Sequence, residues 1–231
     1  ALWEFAARLW IDNPALLPPF TAVVREVKEL IRTGELWHHF HKSLIRVLIG
    51  FGAGSLAGLL MGIMLGWKEI VHRSLHPVIS LLYPIPALGW LPIFMLWFGI
   101  GELLPIAVIF MCSFFPVLYN TESGIRSVNP VMIRAARSLG ASDTVILTTI
   151  LLPLSLPSVF TGLRLEAGMA WRVIIAAEMV AIPTGIGALL MRAESLVRVD
   201  IVIVCLMVLS VMCFIFERFF LLLEKRITGR W

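Results

Sequence analysis

Residues 134–153 read RAARSLGASDTVILTTILLP, a half-polar patch set between long apolar runs. Asn129 and Pro130 come just before it. Asparagine caps a helix by accepting from a backbone N–H. Proline suits the first helical position, where its missing donor would go unpaired anyway. A helix is therefore expected to run through Ser138 and to stop at Gly140, since glycine tolerates the left-handed backbone of a C-terminal cap. Ser142 is placed to cap a second helix from Asp143 towards Leu152, with Pro153 expected to end it. Val131, Ala135 and Leu139 share one face of the first helix, and Arg134 and Arg137 share another. Such a helix–Gly–helix is too apolar to be fully solvated. It suits either a groove on a partner protein or a cover over the base of its own bundle.

The surroundings of this patch are made for lipid. The chain has 231 residues, of which 59% are hydrophobic and 15% charged, and its mean hydropathy is +0.94. Soluble domains run near roughly 45–50% apolar and about 25% charged, so both figures describe a membrane protein. The net charge of +4 is too small and scattered for a nucleic-acid surface, and the basic residues are better placed as flanks of spans. Cys112, Cys205 and Cys213 lie inside apolar runs. Their odd number and their spacing suit buried thiols, neither a metal centre nor a disulfide framework.

Five apolar runs stand out, at residues 43–66, 77–98, 103–119, 156–182 and 201–223. Each approaches the ~20 residues that a helix needs to cross the hydrocarbon core. The opening ALWEFAARLW has the pattern of the tail of one more span. The expected fold is thus an all-α polytopic membrane protein with five full transmembrane helices and a truncated first one, in a single domain over residues 1–231. Within it, residues 1–12 end the first span and 13–42 form an extracytoplasmic connection. Residues 43–119 hold spans two to four, 120–155 a cytoplasmic loop, and 156–231 spans five and six with a tail. In the connection, Pro18-Pro19 precede a short amphipathic helix that a turn at Gly34 ends. Lys68, Arg73, Arg126, Arg134, Arg137, Arg218, Lys225, Arg226 and Arg230 flank one side. The opposing side has Arg25, Lys28, Arg32, Lys42, Arg46, Arg192 and Arg198. The excess puts the Arg134 patch and the C-terminus in the cytoplasm.

Three features inside the runs carry further information. Gly54, Gly58, Gly62 and Gly66 recur every four residues, so one helix face is bare enough for another helix to approach closely. Pro84, Pro86 and Pro92 fall within YPIPALGWLP, with Trp90 beside them. Proline breaks the backbone ladder, and broken backbone at membrane depth must be buried or line a watery cavity. A plain kink and a section of a substrate path are both open readings. The fourth run holds Arg164, Glu166, Arg172 and Glu178. Arg164 and Glu166 lie near its cytoplasmic end and are expected to snorkel. Arg172 and Glu178 lie deeper, where charges face a cavity or a partner. His38, His39 and His41 fit a polar belt at the membrane edge, because no carboxylate or cysteine completes a ligand set beside them. No metal ligand is assigned.

Ala135, Ala136, Gly140, Leu152 and Pro153 resemble the "EAA" coupling loop of permease subunits in binding-protein-dependent ABC importers, with Arg134 where that signature usually has Glu. GELWHHFHKSLIRVLIGF, YPIPALGWLPIFMLWFGIGE, FFPVLYNTESGIRSV, AARSLGAS, LPSVFTGLRLEAGMAWRVIIAAEM and LLLEKRI extend the likeness along nearly the whole chain. It is nearest to the nitrate/sulfonate/taurine-type permeases. The resemblance implies a subunit with no active site of its own, in the inner (cytoplasmic) membrane of the cell and surrounded by lipid. Two copies would form the path for a small, often anionic solute such as nitrate, a sulfonate, taurine or bicarbonate, and an extracytoplasmic binding protein would deliver it. An ATPase subunit would dock on Arg134, Ala135, Ala136, Arg137, Gly140, Ala141 and Pro153. ATP and Mg would sit on that ATPase, with no cofactor on this chain, which contains no P-loop pattern. Pro84, Pro86, Trp90, Arg172 and Glu178 are the residues expected along the path. An ion-coupled secondary transporter or channel using Arg172 and Glu178 is the alternative, and a membrane-embedded enzyme a third class.

Overall fold

The computed structural model describes residues 2–11 and 16–228, and among them every regular element is helical. The chain opens with α1 (Leu2–Phe5), which widens into a π-helical turn at Ala6–Ile11. An amphipathic α2 (Phe20–Arg32) follows, and Gly34 turns the chain at φ +75°. Ala1, residues 12–15 and residues 229–231 lie outside the described residues, and with them parts of the expected first-span end, connection and tail, including Arg230.

The centre of the bundle is the pairing of α3 (Glu35–Trp67) with α6 (Leu103–Arg126). Between helices in lipid there is little hydrophobic drive, so association depends on close packing. The glycine face of α3 provides it. A Cβ at Gly54 would lie 2.5 Å from the carbonyl oxygen of Phe110, and one at Gly58 would run into that of Phe114. At Gly62 the nearest atom would be Thr121 Cβ at 2.6 Å, and at Gly66 Ile125 Cβ at 2.8 Å. The other side of α6 receives α9 (Leu152–Ala181), which also supports α11 (Val199–Thr228) and the short α10 (Ile186–Ser195). Trp171 of α9 is fully buried between these layers, 5.4 Å from the ring of Phe216 and stacked at 6.5 Å on Phe40.

Among the described residues, four helices are long and apolar enough to cross a membrane. A fifth span is present if a bent pair is counted, and it falls on the proline-interrupted second run, where the sequence pointed to broken backbone. α4 (Glu69–Leu82) stops before Pro84, a 3₁₀ turn covers Ala87–Trp90, and α5 (Leu91–Phe98) leaves at 88° to the first arm. Pro84 and Pro86 supply no donors where the ladder would continue, so the chain cannot run on as one rod.

One expectation is corrected at Pro153, which does not end a helix. α7 (Pro130–Ser138) and α8 (Asp143–Ile146) are separate. From Asp143, however, one continuous helical rod runs to Val180. It passes through a π-helical turn at Leu147–Leu151. In a regular α-helix the ring of Pro153 would press on the carbonyl of Thr149. The wider turn just before it provides room. The helix after Gly140 is thus the first part of the next span.

Candidate functional site

Two buried polar centres and one surface loop carry the chemistry. At the α10 end of the bundle, Arg46 of α3 and Glu178 of α9 are 1% and 0% exposed. Arg46 Nη1 donates to Glu178 Oε1 at 2.7 Å, while its Nε reaches Glu102 Oε2 at 2.6 Å. The same guanidinium donates to the carbonyl and hydroxyl oxygens of Thr184, both at 2.7 Å. Glu178 also accepts from Ser43 Oγ at 2.9 Å and from the Gly187 N–H at 3.0 Å. Ser43 Oγ accepts from the Ile186 N–H at 2.9 Å, and His39 Nδ1 from the Gly185 N–H at 3.0 Å. A Cβ at Gly185, whose φ is +112°, or at Gly187 would run into Glu178. The cluster is closed and saturated, as a buried ion pair must be to offset its desolvation. At its rim, hydrogen bonding from Arg46 holds the Glu102 carboxyl below the usual glutamate range.

The second centre lies where α4 breaks from α5. A cavity of about 370 Å³ is lined by Tyr83, Pro86, Cys112, Phe115, Glu166 and Met169, among others. Glu166 is 7% exposed, and its one hydrogen bond among the described residues is from the Cys112 thiol, at 3.3 Å. An adjoining cavity of about 490 Å³ shares Glu166 and Met169 and adds Arg172 and Glu217. Arg172 is exposed and 4.0 Å from Glu217.

The expected path residues therefore divide. Pro86 lines the first cavity and Arg172 the second, whereas Pro84, Trp90 and Glu178 line neither. Trp90 packs beside Phe94, with ring centroids 6.2 Å apart, in the apolar cluster of Leu91, Val173 and Ala177. Glu178 is sealed in the Arg46 cluster. Glu166, expected to snorkel, is turned inward instead, while Arg164 reaches Glu224 on α11 at 3.2 Å. Arg46 was missed as a site residue because a basic residue near the start of an apolar run has the look of a membrane-edge flank. Its place inside the 43–66 run was the available signal.

The loop is built from its caps. Asn129 Oδ1 accepts from the Val131 N–H at 2.9 Å, and Ser142 Oγ from the Val145 N–H at 3.4 Å. Gly140 turns the chain between them at φ +83°. Arg137 reaches across the turn to Asp143 at 3.3 Å. Ile133, Ala136 and Ala141 pack on the bundle against Ile125, Val128, Ile146 and Leu151. Val131, Met132 and Leu139 face outward, with Leu139 89% exposed. The Arg134 guanidinium makes no ion pair among the described residues. α7 is thus seated on its own bundle by one side and bare on the other.

Several spans, a helix broken against an inward-facing acid, and a half-open loop at one end define a polytopic membrane permease. The chain belongs to the family described as "Binding-protein-dependent transport system inner membrane component", whose profile matches residues 54–229. It is 39% identical over 222 residues to a putative ABC transporter permease protein of Methanocaldococcus jannaschii, covering 94% of this chain and 83% of that one. It is 34% identical to the taurine transport system permease protein of Escherichia coli, covering 98% and 84%. It is also 32% identical to a putative aliphatic sulfonates transport permease protein of Bacillus subtilis, covering 100% and 83%. Among solved structures, the inward-facing MetNI methionine ABC transporter superposes with a TM-score of 0.63. That match has 16% identity and covers 84% of this chain and 94% of that one. The likeness establishes the type I importer-permease fold. These findings support a multi-pass ABC importer permease and give none to the ion-coupled carrier. The family implies an ATPase and a substrate-binding protein as partners.

Proposed function

We propose that two copies of this chain form the membrane path of an importer for a small oxyanion-bearing solute of the taurine, sulfonate, nitrate or bicarbonate kind. Relatives named for taurine, aliphatic sulfonates and nitrate support the substrate class. The paired cavities around Glu166, Met169, Pro86 and Arg172 are the section of path that each chain contributes. The α7 end faces the cytoplasm, where an ATPase carrying ATP and Mg docks on residues 134–141. The chain itself does no chemistry, binds no cofactor and sits among lipid in the cell's inner membrane. The observation that carries this reading is α7, anchored by Ile133 and Ala136 and presenting Leu139, Val131 and Arg134 outward. A carrier working alone has no use for such a surface, whereas a motor-driven one requires it.

The test is reconstitution in liposomes with the ATPase and binding protein, following uptake of labelled taurine and nitrate. Uptake of one of them is expected to require both ATP and the binding protein. Uptake that persists without the ATPase would overturn the reading.

A further inference from the structure

Among the described residues, outside the features already described, one cluster brings metal-ligating side chains together. His72 and His76 lie one turn apart on α4, which puts both imidazoles on one face of the helix. Their ring centroids are 4.6 Å apart. From α6, Glu122 meets them, its Oε1 2.6 Å from His72 Nδ1. One ligand atom from each of the three residues falls within 4.8 Å of those of the others. Glu122 is only 4% exposed, and its second oxygen, Oε2, is buried without a hydrogen-bond partner among the described residues. A buried carboxylate oxygen with no donor is costly, and a cation beside it removes the deficit. The three groups border a cavity of about 420 Å³ that Tyr119, Ser123 and Arg126 help to line. That space leaves a coordination position for water. Arg126 is the one positive side chain facing the site from α6, and its guanidinium is drawn towards Glu69, 3.1 Å away.

We propose that His72, His76 and Glu122 form a binding site for a divalent transition metal of the zinc class. Two neutral imidazoles and one carboxylate form a three-ligand set with an open fourth position, as zinc takes readily. Imidazole ligands favour zinc, nickel or copper over magnesium or calcium. The bound ion ties the first arm of the broken span to α6, beside the Ile125–Val128 surface on which α7 sits. This assignment is independent of the proposed substrate and of the ATPase docking.

The test uses full-length protein purified without a histidine tag, stripped with chelator and titrated with Zn²⁺ against a chromogenic zinc chelator. One Zn²⁺ per chain is expected. His76→Gln and Glu122→Gln should each weaken it at least about tenfold, and a paired His38→Gln, His41→Gln variant should leave it unchanged. His76→Cys should restore tight binding, because a thiolate replaces one ligand with another. A purely structural His72–Glu122 ion pair would not respond in this way. Zn²⁺ binding that is absent from wild-type protein, or that survives His76→Gln at full affinity in protein eluting as a single species, would overturn the proposal.

Discussion

Glu166 and Glu178 stand on the same helix and are both almost inaccessible to solvent, yet their surroundings are opposite. Glu178 is met by an arginine, a serine hydroxyl and a backbone N–H, and the glycine at 185 leaves room for its carboxylate. Glu166 has one thiol and two cavities. A buried acid that is saturated by its own chain is part of the scaffold. One left undersatisfied beside open space is the one we propose for the path. Depth in the membrane, the criterion the sequence offers, pointed to Glu178, whereas the cavities lie at Glu166. Satisfaction is the better criterion.

The sharpest way to break this contrast is to remove each carboxylate in turn. Glu178→Leu strips Arg46, deep in the bundle, of its buried counter-charge, with Glu102 at the rim and the neutral Thr184 oxygens remaining, and leaves the Gly187 N–H unmet. Stripping one side of a buried pair costs about 3–5 kcal/mol. The variant is expected to accumulate poorly and to melt far below wild type in detergent. The double variant Arg46→Met, Glu178→Leu should lose less than Glu178→Leu alone, since no buried charge is orphaned. Glu166→Leu should melt at or near the wild-type temperature while uptake in liposomes falls at least about tenfold. A Glu178→Leu protein of normal stability, or a Glu166→Leu protein that transports normally, would dissolve the distinction.

The scaffold has its own internal control on α3. At Gly58 a methyl group meets the backbone carbonyl of Phe114, which cannot swing aside, whereas at Gly52 nothing lies within 4 Å. Gly58→Ala is expected to push α3 and α6 apart at a cost of about 1–3 kcal/mol, the usual range for overpacking. Gly52→Ala should be neutral or gain up to about 1 kcal/mol from helix propensity. Equal melting temperatures for the two variants would show that the glycine face is not what fixes the helix pair.

These contrasts also mark how far the sequence could be read. The long spans, the glycine face and the caps at Asn129 and Ser142 are properties of neighbouring residues, so periodicity and local chemistry exposed them. The 88° break was signalled by Pro84 and Pro86, but its angle was not, because proline forbids one path without choosing another. Pro153 misled for a related reason. Its penalty applies to an α-helical turn, and a wider turn at Leu147–Leu151 avoids it. The Arg46–Glu178 cluster joins residues 132 positions apart. Nothing local in either run identifies the partner.

Gly140 offers a milder perturbation, at the loop. Its positive φ penalises any side chain by roughly 1–2 kcal/mol, but a Cβ there would meet nothing within 4 Å. Gly140→Asp should therefore shift the melting temperature slightly, since aspartate tolerates this region better than most residues. Stimulation of the partner ATPase by the binding protein should nevertheless fall severalfold, because the turn holds α7 against the helix that runs to Val180. Normal stimulation would detach residues 134–141 from coupling.

The smallest expected effect lies within the Arg46 cluster and tests its boundary. One guanidinium serves two carboxylates, Glu178 sealed and Glu102 about half exposed at the rim. The rim pair is screened by water and is worth at most about 1 kcal/mol. Glu102→Gln should accordingly lower the melting temperature at neutral pH by no more than a few degrees. The sign of its pH dependence follows from the direction of the shift. Arg46 holds the folded carboxyl below its ordinary value, so the stabilisation is present above about pH 4.3 and is lost as pH falls through the depressed value. Wild type and Glu102→Gln should differ at pH 7 and converge on acidification below that point. Glu178→Leu should stay far below both throughout. A Glu102→Gln loss as large as that of Glu178→Leu would mean that the cluster closes at its rim and that the sealed pair depends on Glu102 to stay sealed.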